Sequence, residues 1–320
     1  MINTIFYILI IAFSFLLSYF ILKLLSLKIT FIPEDREEVK EVLTKKRFIS
    51  CGGIGIICST ILTYCLFNYN NLLKSKSFTI LFTLSFFFII GLIDDLIKIK
   101  GKDKNGLSAM LRLFLELVGT IIICYLININ NFKFIEIKAL NISLSLGIFT
   151  IFYAFLCICG FSNAFNFTDG IDGLSTGLLI ISLTPFFIFA FNDHNEEIII
   201  LILALYGSLF SFLTYNFPPS KIIMGDCGSL PLGAIYALIG LLLNKELLLL
   251  ISGGIFLLEL LSVILQVGYF KITNGKRIFK MAPVHYHFIK KGKNETQVVL
   301  LFMFFNLLLA IITSILGGIR

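Results

Sequence analysis

The chain of 320 residues is 58% hydrophobic and 14% charged, with a formal net charge of +7 and a mean hydropathy of +0.98. Its apolar residues come in runs of about twenty, the length an α-helix needs to cross the hydrocarbon core, so an integral membrane protein is expected and a soluble domain is excluded. The excess positive charge suits loop topology and anionic lipid head groups; no nucleic acid partner is implied.

Ten candidate spans follow in chain order, over 3–25, 52–69, 77–94, 107–127, 142–161, 174–191, 198–217, 229–243, 247–270 and 298–319. The first lacks a small-residue cleavage site after a short apolar core and reads as a retained span. The expected fold class is therefore all-α, a polytopic integral membrane protein with about ten transmembrane helices. Lysine and arginine set its orientation, since short basic loops stay cytoplasmic. The odd-numbered loops hold eighteen of them and the even-numbered loops five, Lys74, Lys76, Lys133, Lys138 and Lys245, which places both termini outside. The seven cysteines lie within or beside spans with no CxxC spacing, and read as small core packers.

Carboxylates then separate chemistry from scaffold. The cytoplasmic loops of this topology hold Asp94 and Asp95 in "GLIDDLIKIKGK", Asp169 and Asp172 in "NFTDGIDGL", and Asp226 in "IMGDCGSLPLG". All five fall at span ends, where they avoid the cost of about 2.5–3.5 kcal/mol that a carboxylate meets at mid-bilayer. Helix capping is one reading, best suited to Asp172 and Asp226 ahead of their spans. The three clusters together favour another: hard oxygen ligands for Mg²⁺, with lysines and helix N-termini for phosphate oxygens. Asp94 and Lys98 are i,i+4 on one helix, and Asp169 and Asp172 would share a face if the sixth span began at Asp169.

Two further features stand out late in the chain. Glu259 lies mid-span in "IFLLELLSVILQV", a functional suspect by position, with contact to Ser262 and Gln266 as the bland alternative. The last long loop, "KITNGKRIFKMAPVHYHFIKKGKNE", holds His285 and His287 among seven basic residues. No third histidine or cysteine completes a zinc set there.

In this order the motifs resemble the polyprenyl-phosphate N-acetylhexosamine-1-phosphate transferases. The segments are "GLIDDLIKIKGKDKNGLSA", "SNAFNFTDGIDGL", "YNFPPSKIIMGDCGSLPLG", "ELLSVILQVGYFKITNGKRIFKMAPVHYHF" and "KKGKNE", spanning about residues 91 to 295. The histidine segment resembles the phospho-N-acetylmuramoyl-pentapeptide branch in particular. That resemblance implies one transmembrane transferase domain over 1–320, in the bacterial inner (cytoplasmic) membrane with its active site on the cytoplasmic face. It implies movement of phospho-MurNAc-pentapeptide from UDP-MurNAc-pentapeptide to undecaprenyl phosphate, giving lipid I and UMP, with Mg²⁺ as cofactor and a homodimer as the assembly.

Carried over by position, Asp94 and Asp95 match the family's aspartate pair, Asp226 its MGD aspartate, associated with Mg²⁺, and His285 the first histidine of its motif; these are the expected catalytic residues, with Asp226 the metal ligand. Lys98, Lys102, Asn163, Asn166, Asp169, Asp172, Asn216 and His287 are the expected substrate contacts. The chain departs from the pattern in three places: "RFISCGG" stands where the family has a GTPTMGG-like run, Tyr286 interrupts the histidines, and Ile289 replaces an acidic residue.

Two chemical routes stay open, attack on the β-phosphate by an aspartate of the pair or direct attack by the lipid phosphate. A phosphate monoester, with a second pKa near 6, is largely ionised without a base, which favours direct attack. A sibling transferase using another UDP-N-acetylhexosamine would share every aspartate. A secondary transporter would also have ten spans and Glu259, but would place polar groups on broken helices near the midplane, whereas these carboxylates gather at one face.

Overall fold

The computed structural model describes residues 2–28, 51–100, 106–127, 134–137, 142–145 and 149–318. In chain order these form α1 (Ile2–Lys28), α2 (Gly53–Phe67), α3 (Ser75–Lys100), α4 (Ala109–Leu126), β1 (Phe134–Ile137), β2 (Ile142–Ser145), α5 (Phe149–Thr168), α6 (Leu174–Asn192), α7 (Glu196–Asn216), α8 (Asp226–Leu242), α9 (Glu246–Ser252), α10 (Gly254–Ile272), α11 (Val284–Ile289) and α12 (Glu295–Leu316). Among the described residues eight helices are long and apolar enough to cross a membrane, namely α1, α3, α4, α5, α6, α7, α10 and α12, and α2 and α8 are shorter apolar helices. The protein is thus a helical, polytopic membrane protein, apart from one antiparallel hairpin in which β1 pairs with β2, Phe134 opposite Ser145.

The hairpin corrects one expected boundary. Residues 142–145 are strand, so the fifth membrane helix begins at Phe149 and runs to Thr168 instead of covering 142–161. The shift carries Asn163 and Asn166 into the last turns of α5. A second correction concerns the turn that follows. The chain leaves α5 at Thr168 and reaches α6 only at Leu174, through Gly173 at φ +77°, a left-handed backbone that glycine adopts without strain. Asp169 and Asp172 therefore lie in a turn and do not share a helix face.

Helix α8 is the centre of the bundle. Every residue from Cys227 to Leu241 is buried, as expected of a helix that is apolar all round. It packs on α3, α5 and α2, while α1 packs on α2 and α7, and α12 on α6. Glycine permits two close approaches to α8: a Cβ on Gly91 of α3 would stand 2.1 Å from the Asp226 carbonyl oxygen, and one on Gly233 of α8 2.3 Å from that of Phe161 on α5. Small residues at helix crossings serve this purpose in membranes, where close van der Waals packing holds helices together. α3, α5 and α7 end where α4, α6 and α8 begin.

Candidate active site

Four helix ends meet around Asp226, the first residue of α8. Its Oδ2 lies 2.9 Å from Lys98 Nζ on α3 and 3.4 Å from Arg112 Nη1 on α4, and its Oδ1 accepts Nδ2–H of Asn166 on α5 at 2.7 Å. Asn166 also donates to Ser229 Oγ at 2.8 Å. Lys98 reaches Asp94 Oδ2 at 2.5 Å, the i,i+4 pair anticipated on α3. Asp94 Oδ1 accepts the Leu107 N–H at 2.6 Å. The helical phase of α3 thus sends Asp94 and Lys98 to the same face, and the terminus of α8 meets them there.

Asp95 performs a different task. Its carboxylate accepts the N–H of Asp226 at 3.1 Å and of Cys227 at 2.9 Å, two donors that the first turn of α8 cannot satisfy internally. The N-cap residue, Gly225, has no side chain to do this. Capping therefore belongs to Asp95, supplied from another helix, and Asp226, read as a possible cap, keeps its carboxylate for the site. Cys51 and Cys227, read as packers, flank the same Asp95 carboxylate, and a ligand atom from each of the three lies within 4.8 Å of the others.

One oxygen each of Asp94, Asp95 and Asp226 lies within 4.8 Å of the other two. At an effective dielectric of about 20, two full charges at such a distance repel by on the order of 3 kcal/mol. Lys98 and Arg112 offer two positive charges against three carboxylates. The set is short of one cation and built of hard oxygen donors, which is the chemistry that a small divalent cation satisfies. Asp226 is the best-placed ligand, with its side chain 13% exposed and two oxygens turned into the cluster.

Around the neighbouring turn, Asp169 Oδ1 accepts Ser175 Oγ–H at 2.7 Å, and Asp172 Oδ2 accepts the Ser220 N–H at 3.0 Å. Asn216 is buried, its Oδ1 accepting the Gly173 N–H at 2.9 Å and its Nδ2 donating to the Ile222 carbonyl at 3.0 Å. Asn216 thus ties the turn after α5 to the loop that leads into Asp226. Lys102, another expected contact, lies outside the described residues.

The histidine loop docks on this turn. His285 is fully buried, with Nδ1 3.1 Å from Glu259 Oε2. Its Nε2 faces Gly170, where an added Cβ would come within 2.5 Å. Tyr286 donates its hydroxyl to the Gly170 carbonyl at 2.8 Å, so the residue that interrupts the histidines has a docking role. Glu259 therefore pairs with His285, not with the Ser262 or Gln266 side chains. Ser262 Oγ–H donates to the Glu259 carbonyl, and Gln266 Oε1 accepts the N–H groups of Ile278 and Phe279. His287 Nδ1 accepts the Lys280 N–H at 3.0 Å, and burial with the nearby charges of Lys291 and Lys280 lowers its pKa.

Sequence reasoning missed Arg112 and Glu116. Arg112 Nη2 donates to Asn163 Oδ1 at 3.3 Å, and Asn163 Nδ2 donates to Glu116 Oε2 at 2.7 Å and to the Cys159 carbonyl at 2.9 Å. The available signal was an Arg and a Glu at i,i+4 inside an apolar helix, where charged residues are rare unless functional.

A sequence profile of glycosyl transferase family 4 matches residues 77–244, which include Asp94, Asp95, Lys98, Arg112, Asn163, Asn166 and Asp226. The chain belongs to glycosyl transferase family 4. It is 38% identical over 290 residues to the phospho-N-acetylmuramoyl-pentapeptide-transferase of Listeria monocytogenes serotype 4b (strain CLIP80459), covering 89% of each chain. A protein of that name from Clostridium botulinum (strain Eklund 17B / Type B) is 40% identical over 273 residues, 85% of this chain and 83% of its own. One from Streptococcus pneumoniae serotype 19F (strain G54) is 38% identical over 253 residues, 79% and 77% of the two chains. The glycosyl transferase family 4 match ends before Glu259 and the histidine loop. Of the altered "RFISCGG" run, Arg47 to Ser50 lie outside the described residues, but its two glycines donate N–H groups to the Ile223 and Met224 carbonyls at 2.9 Å, buttressing the approach to Asp226. Ile289 packs against the apolar core.

Proposed function

We propose that this chain transfers phospho-MurNAc-pentapeptide from UDP-MurNAc-pentapeptide to undecaprenyl phosphate, releasing UMP and leaving lipid I in the membrane. The observation that carries the reading is the meeting of Asp94, Asp95, Asp226, Lys98, Arg112 and Asn166 at one end of a membrane bundle, in a chain similar to transferases of that name. On this reading the helices make ten crossings with both ends outside, the site faces the cytoplasm, and the enzyme works in the bacterial inner membrane as a homodimer.

Mg²⁺, held by Asp226 with Asp94 nearby, would supply charge neutralisation at the donor pyrophosphate. Lys98 stands beside both carboxylates and orients the same phosphates. Asp95 keeps α8 in register by capping it, Asn166 holds the Asp226 carboxylate, and the basic histidine loop receives the nucleotide diphosphate. Direct attack by the lipid phosphate is favoured over a phospho-enzyme. Both Asp95 oxygens accept backbone N–H groups, and Asp94 is engaged by Lys98 and the Leu107 N–H, so neither carboxylate is poised as a nucleophile. The acceptor needs no base, because a phosphate monoester is already largely ionised at neutral pH.

The test is product detection by mass. Purified protein given UDP-MurNAc-pentapeptide, undecaprenyl phosphate and Mg²⁺ should yield UMP and lipid I in equal amounts, and chelation should stop both. UDP-GlcNAc in place of the donor should give no product. Turnover of UDP-GlcNAc, or none with the muramoyl donor, would refute the assignment.

A further inference from the structure

We propose that Arg112 receives the phosphate of the lipid acceptor and that Glu116, acting through Asn163, is the residue that positions it. The proposal rests on the transferase reading and adds to it which side of Asp226 the membrane substrate uses.

The geometry begins with Glu116, fully buried inside α4. A carboxyl oxygen that meets an amide N–H accepts from it, as a backbone carbonyl does. Asn163 is caught between two such groups, Glu116 Oε2 and the Cys159 carbonyl, and both are served by its Nδ2. Its amide is therefore fixed with Oδ1 turned to Arg112 Nη2. In this way Glu116 sets the aim of a guanidinium four residues earlier on its own helix.

Arg112 is only partly committed. Its contacts to Asp226 and Asn163 are long, at 3.4 and 3.3 Å, and its buried Nε has no hydrogen-bond partner among the described residues. A planar fork with five donors and two long bonds retains the capacity for bidentate contact with phosphate oxygens.

Position then identifies which phosphate. α4 packs on α3 and α5, and among the described residues its remaining surface is apolar and exposed, with Leu111 and Phe114 on either side of Arg112. The histidine loop rides instead on α10, which also packs on α5, and docks at Gly170. α10 exposes apolar surface too, at Leu261 and Leu265, but its site end leads into the basic histidine loop, which is given to the nucleotide; a phosphate carried on an isoprenoid chain is assigned to Arg112, the partly committed cation whose own helix faces lipid. Lys98, between them, contacts both carboxylates that the two phosphates must approach.

The experiment separates the two substrates. Arg112→Ala should raise the KM for undecaprenyl phosphate at least tenfold and leave the KM for the UDP-sugar unchanged. Arg112→Lys, which keeps the charge and loses the fork, should fall between Ala and wild type. Glu116→Gln can still accept from Asn163 and should shift the same constant only slightly, whereas Glu116→Leu frees the amide to rotate and should approach Arg112→Ala. Binding without turnover supplies the second readout: farnesyl phosphate should bind the detergent-solubilised protein more weakly in Arg112→Ala by a similar factor, and farnesol should bind all variants alike. A rise in the KM of the UDP-sugar instead would overturn the assignment. So would losses that follow thermal stability in every variant with no rescue by Lys. If the wild type formed no UMP the transferase reading would fall, while the farnesyl phosphate measurement would still decide Arg112 by itself.

Discussion

The two ends of the bundle are both polar, yet they are built on opposite plans. At the end away from Asp226, Tyr64 donates its hydroxyl to Ser77 Oγ at 3.0 Å, Asn68 donates to the same oxygen at 2.9 Å, and Ser77 donates to Glu197 Oε2 at 3.1 Å. The carboxylate of this network, Glu197, has Lys74 4.0 Å away. Donors and acceptors are matched and turned toward one another, which staples α2, α3 and α7 together. At the Asp226 end, three carboxylates converge against two cations. The first arrangement is complete in itself. The second is balanced only when something charged is added, and that difference marks the end where chemistry occurs.

Several measurements would break or sharpen the contrast. Asp226→Asn should cost the most: turnover should fall at least a hundredfold, about 3–4 kcal/mol of transition-state stabilisation by analogy with a lost oxyanion donor. Thermal unfolding in detergent should be nearly unchanged, and wild-type rates at limiting Mg²⁺ would reject Asp226 as the ligand. His285→Ala should lower turnover at saturating substrates by at least tenfold, about 1.4 kcal/mol. Tyr286→His should lose less, since both rings can hydrogen-bond to the Gly170 carbonyl. Stability dropping in step with activity would mean that His285 only folds the loop.

Ser77→Ala tests the stapled end. It strands the Tyr64 hydroxyl and an Asn68 N–H in buried surroundings, at a cost of about 1–3 kcal/mol, and the loss should appear in the melting temperature while activity per folded molecule is unchanged. A fall in activity without a fall in stability would erase the distinction between the ends.

The smallest effect is a pH dependence at His287. Its pKa is lowered, so the fold favours the neutral ring, whose Nδ1 accepts the Lys280 N–H. That contribution is complete above the ordinary histidine range and is lost as pH falls from there through the lowered value. A modest rise in the KM of the UDP-sugar on the acid side, absent in His287→Asn, is expected.

Most of the membrane helices were legible because length and hydropathy control insertion. The fifth span was misplaced for a physical reason: Asn163 and Asn166 depress the hydropathy of the end of α5, since they face the site and not lipid, and the apolar run 142–148 drew the window back. The aspartates were legible as a group, but their division of labour was not. That Asp95 caps α8 depends on a contact between helices more than a hundred residues apart in the chain. Arg112 was hidden by its surroundings, one cation in a helix that otherwise reads as lipid-facing.

The burial of α8 has a consequence for how the protein is made. Its receiving walls, α2, α3 and α5, all precede it in the chain, so they reach the membrane first during synthesis. Until residue 226 arrives, Asp94 and Asp95 have neither the helix terminus that one of them caps nor the carboxylate that completes the cluster. A nascent chain therefore completes its charge centre late, when a short apolar helix slots between walls already laid down, and a ribosome stalled before that point leaves the Asp94–Lys98 pair without the carboxylate that closes the cluster.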